Sequence, residues 1–211
     1  LVAEACCADG RGFDTGFRKL IKRVFPEREY ELRQIEPEHP IWRAEKKVRP
    51  DSPYVGRLWA IEYGCRTCVV YSERDLSCPW ELFRLGHKTD YPPAIEQLID
   101  DALAVGVNVL TYATNREPQH KEQSFQRTVS AEDAAGIGRR GVVQVAKLQH
   151  GGGCNDAPGA LANLVRAASQ GEMRLRIRDE DDVVGITEEN LRQYHLVFMH
   201  GRHSFRFTPA E

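Results

Sequence analysis

What this sequence most plainly lacks is an excess of positive charge. Its 29 lysines and arginines are outnumbered by 31 aspartates and glutamates, for a formal net charge of -2. A protein that grips nucleic acid through its phosphates needs a basic face, so no nucleic-acid partner is expected. Pairs such as Arg18-Lys19 and Lys22-Arg23 read as the wet side of a helix. No apolar run reaches the roughly 18 residues that cross a bilayer, so no membrane span is expected either. Paired cysteine spacings are also scarce. Of six cysteines, only Cys65 and Cys68 form a C-x-x-C, whereas a structural zinc site usually supplies two such pairs. On that ground no metal and no cofactor is expected, and the thiols read as small apolar groups. With 41% hydrophobic and 28% charged residues, the composition is globular, enough for one α/β domain or parts of two.

An initiator methionine is missing as well. The chain opens on Leu1-Val2-Ala3-Glu4-Ala5-Cys6-Cys7, an apolar run that reads as a strand already under way. It closes on Thr208-Pro209-Ala210-Glu211, where Thr as N-cap, Pro at the first helical position and Glu at the third spell a helix start. A fragment truncated at both ends is the expectation, so the cellular address stays open. Between those ends, Phe13, Phe17, Leu20, Ile21 and Val24 recur at helical spacing, with Asp14 as a candidate N-cap. Residues 26–57, rich in proline and charge, read as an irregular excursion. Leu58 to Tyr63 and Cys68 to Tyr71 predict a hairpin, and Ile95 to Ala113 keeps one helical face despite Gly106. Residues 116–140 have linker composition. Val142 to Leu148 predicts a strand ended by Gly151-Gly152-Gly153, followed by a helix from Asp156 and Pro158. Leu175 and Ile177 suggest an edge strand, Thr187 caps a short helix, and His195 to Met199 is a buried-type strand. Strands alternating with helices predict an α/β fold, a mostly parallel sheet with helices on both faces.

Five segments then resemble one family. They are Lys147 to Gly153, His200-Gly201-Arg202-His203-Ser204-Phe205, Ala5-Cys6-Cys7 with Phe13 to Arg18, Val70 to Glu81, and Gly106-Val107-Asn108-Val109. Together they resemble the bacterial domain of unknown function 4159 family. The resemblance implies the flavodoxin-like fold of class I glutamine amidotransferases. It also implies a departure in order, because in that family the stretch like 141–211 precedes the stretch like 1–115. A piece spanning two tandem copies is the expectation, with a circular permutation as the alternative. The two parts, 1–115 and 141–211, are expected to dock as one sheet, because each alone leaves an amphipathic face unburied.

Ligands of open parallel sheets gather at the carboxyl ends of the strands. Four loops should converge there: Cys6 to Gly10, Glu73 to Glu81, His150 to Asp156, and His200 to Phe205. In the amidotransferase-like fold a nucleophilic cysteine sits between a strand and a helix, where Cys6 or Cys7 stands, with His200 or His203 as base. The tight Gly-x-Cys-x-Gly setting is missing, and packing thiols are the plainer interpretation. Gly152, with His150, Asn155 and Asp156, would cradle an anion or simply make a tight turn. His200-x-x-His203 with Asp9 or Asp75 is a short-spaced metal pattern that reads better as a polar loop. Asp75, Ser77, Trp80 and Glu81, with Arg202, form a polar–aromatic set that would hold a sugar or peptide, unless Trp80 closes the sheet's end. The run Asp179 to Asp182 reads as a solvated turn. The expected function is a non-catalytic module binding a small ligand or a protein within a larger protein, its oligomeric state open. The alternatives are a Cys–His thiol hydrolase or amidotransferase relative and, third, a carbohydrate-binding domain.

Overall fold

The computed structural model describes residues 1–6, 11–64, 66–84, 90–114, 142–170, 176–177 and 183–207. Cys7, Asp9, Cys65, the expected linker 116–140, Leu175, the acidic run 179–182 and the helix start at Thr208 lie outside the described residues. The described elements are β1 (Val2–Ala5), α1 (Arg11–Val24), β2 (Arg33–Gln34), β3 (Leu58–Tyr63), β4 (Arg66–Ser72), α2 (Ser77–Leu82), α3 (Pro93–Ala113), β5 (Val142–Val143), β6 (Val145–Leu148), α4 (Ala160–Gln170), β7 (Arg176–Ile177), β8 (Val183–Val184), α5 (Glu188–Gln193) and β9 (Leu196–Gly201).

Seven strands form one sheet in the order β2-β3-β4-β1-β9-β6-β8. β4, β1, β9, β6 and β8 run parallel, and β3 is antiparallel to both β4 and β2. Counted from β6, the parallel strands take the order 2-1-3-4-5, which is flavodoxin-like. β1 lies at the centre, with Val2 beside Val70 of β4 on one side and Phe198 of β9 on the other. The strand expected over 142–148 is two strands. The backbone carbonyl of Gln144 turns to accept the His195 and Leu196 N–H groups, so β5 pairs with β7 while β6 joins the main sheet.

Helices cover both faces. On α1, Phe13, Phe17 and Ile21 are buried at four-residue spacing while Lys19, Lys22 and Arg23 face water. Each such apolar side chain contributes about 1.5–3 kcal/mol by leaving water. They pack on Ala3, Tyr71, Val197 and Met199. The opposite face, bearing Val2, Val70 and Phe198, packs under α3 and α4. Asp14 does not cap α1. The helix starts three residues earlier, and the Asp14 carboxylate accepts hydrogen bonds from Tyr71 (2.7 Å) and Arg18 (2.8 Å) instead.

The excursion 26–57 is irregular but firmly docked. Ile41, Trp42 and Tyr54 are buried in the core beneath it. Asn108, fully buried on α3, accepts the Glu45 and Lys46 N–H groups and donates to the Lys46 carbonyl. Asp101, also on α3, takes the Arg49 guanidinium at 2.8 and 3.1 Å. Replacing Asn108 with Ala should cost about 2–3 kcal/mol, the sum of several backbone hydrogen bonds left to imperfect substitutes. Amide hydrogen exchange at Glu45 and Lys46 should accelerate selectively; unchanged protection there would show that the excursion is held by something else. A second prediction separates packing from propensity. Alanine normally stabilises a helix interior by about 1 kcal/mol over glycine. At Gly106, however, a Cβ would meet Leu164 at 2.5 Å and the Trp80 ring at 2.7 Å. Gly106→Ala should therefore destabilise by about 1–3 kcal/mol in denaturant unfolding; a stabilised variant would refute the close packing.

Candidate functional site

Side chains alternate along a strand, so residues two apart share a face. From Val2, Val70 and Phe198, that rule puts Glu4, Ser72 and His200 on the α3 side, one step nearer the strand ends. The register sets them abreast, Glu4 beside Ser72 on one neighbour and beside His200 on the other. Lys147 of β6 continues the row one step back, opposite Phe198. Glu4 and His200 are 0% exposed and Lys147 is 1% exposed. Three ionisable side chains thus lie inside an otherwise apolar layer, where each costs several kcal/mol unless compensated.

Compensation comes from α2 and the loop after β6. Glu4 Oε2 accepts the Leu76 N–H at 2.6 Å, just before α2 starts. His200 Nε2–H donates to the Cys154 carbonyl at 2.6 Å. Its Nδ1 lies 3.2 Å from Ser77 Oγ and 3.6 Å from Glu4 Oε1. Cys6 completes the group, with its sulfur 3.6 Å from Ser77 Oγ and 3.8 Å from Cys78 Sγ. Asp75 Oδ1 accepts the Cys78 N–H at 2.9 Å and fixes the first turn of α2. Burial raises Glu4 toward its neutral form, with His200 opposing; burial likewise opposes charge on His200, yet contacts with Cys6 and Glu4 lift it to about 9. The two groups face each other across 3.6 Å and titrate as a pair. The Cys78 thiol is pushed up by its contact with Cys6, by burial and by Asp75. Lys147 Nζ reaches the Ala157 and Pro158 carbonyls (both 3.3 Å) and Asn155 Oδ1 (3.4 Å).

The order of the parallel strands reverses between β6 and β9, the usual place for a ligand crevice. Here backbone fills it. The Arg202 and His203 N–H groups both donate to the Gly152 carbonyl, and a Cβ on Gly152 would stand 2.7 Å from the His203 carbonyl oxygen. His150 stiffens this closure by accepting the Gly152 N–H on Nδ1 and donating Nε2–H to the His200 carbonyl. That pattern is the neutral imidazole, in keeping with burial, which pushes His150 down to about 4. Gly153, at φ +89°, turns the chain against Asp156. The glycine triplet is therefore a packed turn. The open space lies one strand over, beyond β1 and β4. There a cleft of about 750 Å³ is lined by Arg11, Arg57 and Arg74, by Asp14, Glu73 and Asp75, and by Cys78 with a rim of apolar side chains.

Several expected site residues are thus brought together and others are not. Cys6, His200, Ser77 and Asp75 converge. His203, Arg202 and Asp156 are exposed, and it is His200 that stands against Cys6. The short metal pattern His200-x-x-His203 is split for the same reason. Trp80 is 1% exposed, packs on Phe198 and donates its indole N–H to the Ala102 carbonyl, so its face is unavailable to a sugar. Glu81 stands beside Gly159, and its backbone carbonyl accepts from Asn163. Cys68, on β4, donates to the Ile61 carbonyl of β3. Sequence reasoning missed Glu4, Cys78, Lys147 and the arginines of the cleft. For Glu4 and Lys147 the signal was there: a charge at mid-strand in a run otherwise apolar enough to be buried on both faces.

Strand order and buried polar row together define a flavodoxin-like α/β protein with its polar centre at the carboxyl edge of the sheet. The chain belongs to the family described as Domain of unknown function (DUF4159), whose model matches residues 1–114 and 144–211. Neither a search of curated proteins nor one of solved structures gave a match. Burial orders the thiols of the site: Cys6 is enclosed, whereas Cys78 lines the cleft. In folded protein kept in EDTA, iodoacetamide should label Cys78 well before Cys6, as read by peptide mass spectrometry. The reverse order would mean that Cys6 faces the cleft.

Proposed function

We propose that this chain is a ligand-binding α/β module, non-catalytic as it stands, whose site is the cleft beyond β1 and β4. The cleft itself is the observation that supports the reading: it is large enough for a small polar molecule or a peptide segment and lies at the carboxyl edge, where parallel sheets bind. Its walls alternate in sign. Arg57 lies 3.6 Å from Glu73, Arg18 bridges Glu73 and Asp14, and Arg74 stands over Tyr54. Such a lining suits a ligand bearing both an anionic and a cationic group, such as an amino acid or short peptide. The enclosure of Cys6 argues against a resting nucleophile, because a substrate carbonyl has no path to its sulfur.

A second reading, a thiol hydrolase or amidotransferase relative, is favoured by one observation: the donor atoms of Glu4, Cys6 and His200 lie within 4.8 Å of one another. The amidotransferase-like relationship and the expected tandem or permuted origin both lean on the strand order counted from β6.

Arginine side-chain N–H signals in NMR test the cleft. Free amino acids, a dipeptide and inorganic phosphate should be titrated in turn, with saturable shifts expected at Arg57 and Arg74 for the zwitterionic probes. Arg57→Ala and Arg74→Ala should each weaken that binding by about tenfold, or about 1.4 kcal/mol. Stability should barely change, since exposed pairs contribute only about 0–1 kcal/mol. Binding that is absent for every probe, or undiminished in both variants, would overturn the assignment.

A further inference from the structure

We infer that Cys6, Asp75 and Cys78 form a three-ligand site for a zinc-class divalent ion in the wall of the cleft, its fourth coordination position open to the cleft. Thiols and a carboxylate are donors that zinc takes, and three protein ligands with one open position is the pattern in which it meets an outside molecule. The three donor atoms lie within 4.8 Å of one another. Zinc–sulfur bonds of about 2.3 Å require a sulfur–sulfur edge of about 3.8 Å in a tetrahedron, and the Cys6 and Cys78 sulfurs stand 3.8 Å apart. The Cys78 thiol also contacts the Asp75 carboxylate, so it faces both other donors at once. Cys6 is enclosed, whereas Asp75 and Cys78 line the cleft, so the remaining side of the ion looks into open space.

The fold holds this set together before any ion arrives. Asp75-Leu76-Ser77-Cys78 places a carboxylate and a thiol three residues apart at the start of α2, and Cys6 directly follows β1. Between them, the Leu76 N–H bond to Glu4 ties the helix start to the strand. Hydrogen bonds behind the donors orient them, as around metal ligands generally. Asp75 Oδ1 accepts the Cys78 N–H at 2.9 Å, and the Ser77 hydroxyl donates to the Cys6 sulfur at 3.6 Å, a bond that strengthens when the sulfur is a thiolate. Two thiolates and a carboxylate exceed the charge of a divalent ion by one, and Arg11, Arg57 and Arg74 line the same cleft. Glu4 and His200 also lie near Cys6, but both are wholly enclosed and would leave an ion no open side. On binding, each thiol releases its proton to solvent and no electron moves. The open position then takes water or a donor atom of a molecule in the cleft.

The test is cobalt(II) added to the full chain after chelator treatment under reducing conditions. The expected result is one bound ion, an intense near-ultraviolet thiolate-to-cobalt band, and its displacement by zinc, which binds such sites more tightly. Cys78→Ser, at the half-exposed position, should lose about half of that band, because one of two thiolates is gone. Because a variant at the enclosed Cys6 risks misfolding, the remaining ligands are read on unaltered protein. X-ray absorption of the zinc form should give two sulfur and two oxygen neighbours with no imidazole signature. Thiocyanate should shift the visible cobalt bands by entering the open position. Absence of cobalt uptake by folded, reduced protein would overturn the inference, as would a band unchanged by Cys78→Ser. An imidazole in the first shell, or cobalt bands unmoved by thiocyanate, would do the same. Arginine shifts measured in EDTA report ligand binding in the cleft without the ion, so either reading can fail without the other.

Discussion

The hydrogen bond from the Leu76 N–H to the Glu4 carboxylate is the contact from which much of this molecule's arrangement follows. Glu4 lies in the central strand with no exposure, so its carboxyl must be satisfied locally or the strand would not stay in that register. Leu76 immediately precedes α2, and tying it to β1 seats the helix over the strand ends. Seating α2 places Cys78 and Asp75 at the lip of the cleft and drives Trp80 into the core. The Trp80 indole then reaches the Ala102 carbonyl on α3, whose Gly106 leaves room for the ring. Tyr54 donates to the Asp75 carbonyl and brings the 26–57 excursion to the same point. One buried acid thereby organises a strand, two helices and a long irregular segment.

Polar groups on the far side of β9 follow the same logic. His150 and His200 are both buried, yet their environments push them apart, one held neutral near 4 and the other lifted to about 9. His150 meets backbone alone within its hydrogen bonds and serves as a fixed donor and acceptor that closes the strand-order reversal. His200 meets a carboxylate and a thiol, and both favour its charged form against the effect of burial. Two buried histidines, one in the loop after β6 and one in β9, therefore divide into a structural and a chemical role, decided by the groups that face each ring.

Periodicity made much of the architecture legible in advance. The four-residue spacing of Phe13, Phe17 and Ile21, the hairpin of β3 and β4 and the broad face of α3 all follow from apolar repeats. The site was less legible because its best residues break the rule that made the rest readable. A charge within a strand is normally counted as facing water, and Glu4 and Lys147 do the opposite in a sheet covered on both faces. Trp80 misled in the reverse direction. Its neighbours Asp75, Ser77 and Glu81 suggested a surface, but Ser77, Pro79 and Trp80 are all buried on α2. Cleft arginines such as Arg57 come from the end of the excursion, where no repeat constrains direction. Spacing along the chain also could not pair Cys6 with Cys78, 72 residues apart, because parallel strands place sequence-distant loops side by side.

Nucleophilic catalysis at this cluster would require more than the proximity of a thiol, an imidazole and a carboxylate. A catalytic thiol needs an approach path for a carbonyl carbon and an oxyanion pocket beside it. Cys6 is wholly enclosed, and its partners include a second thiol, a hydroxyl and an imidazole whose Nε2–H is already committed to a carbonyl. A catalytic triad also leaves no reason for the acid's second oxygen to stand buried without a donor, since that oxygen should hold the histidine. Here Glu4 Oε1 is 3.6 Å from the ring nitrogen, too far for a good hydrogen bond. The enclosed thiol and the long carboxylate–imidazole contact both set this cluster apart from a working triad, and they support the cleft as the place of binding.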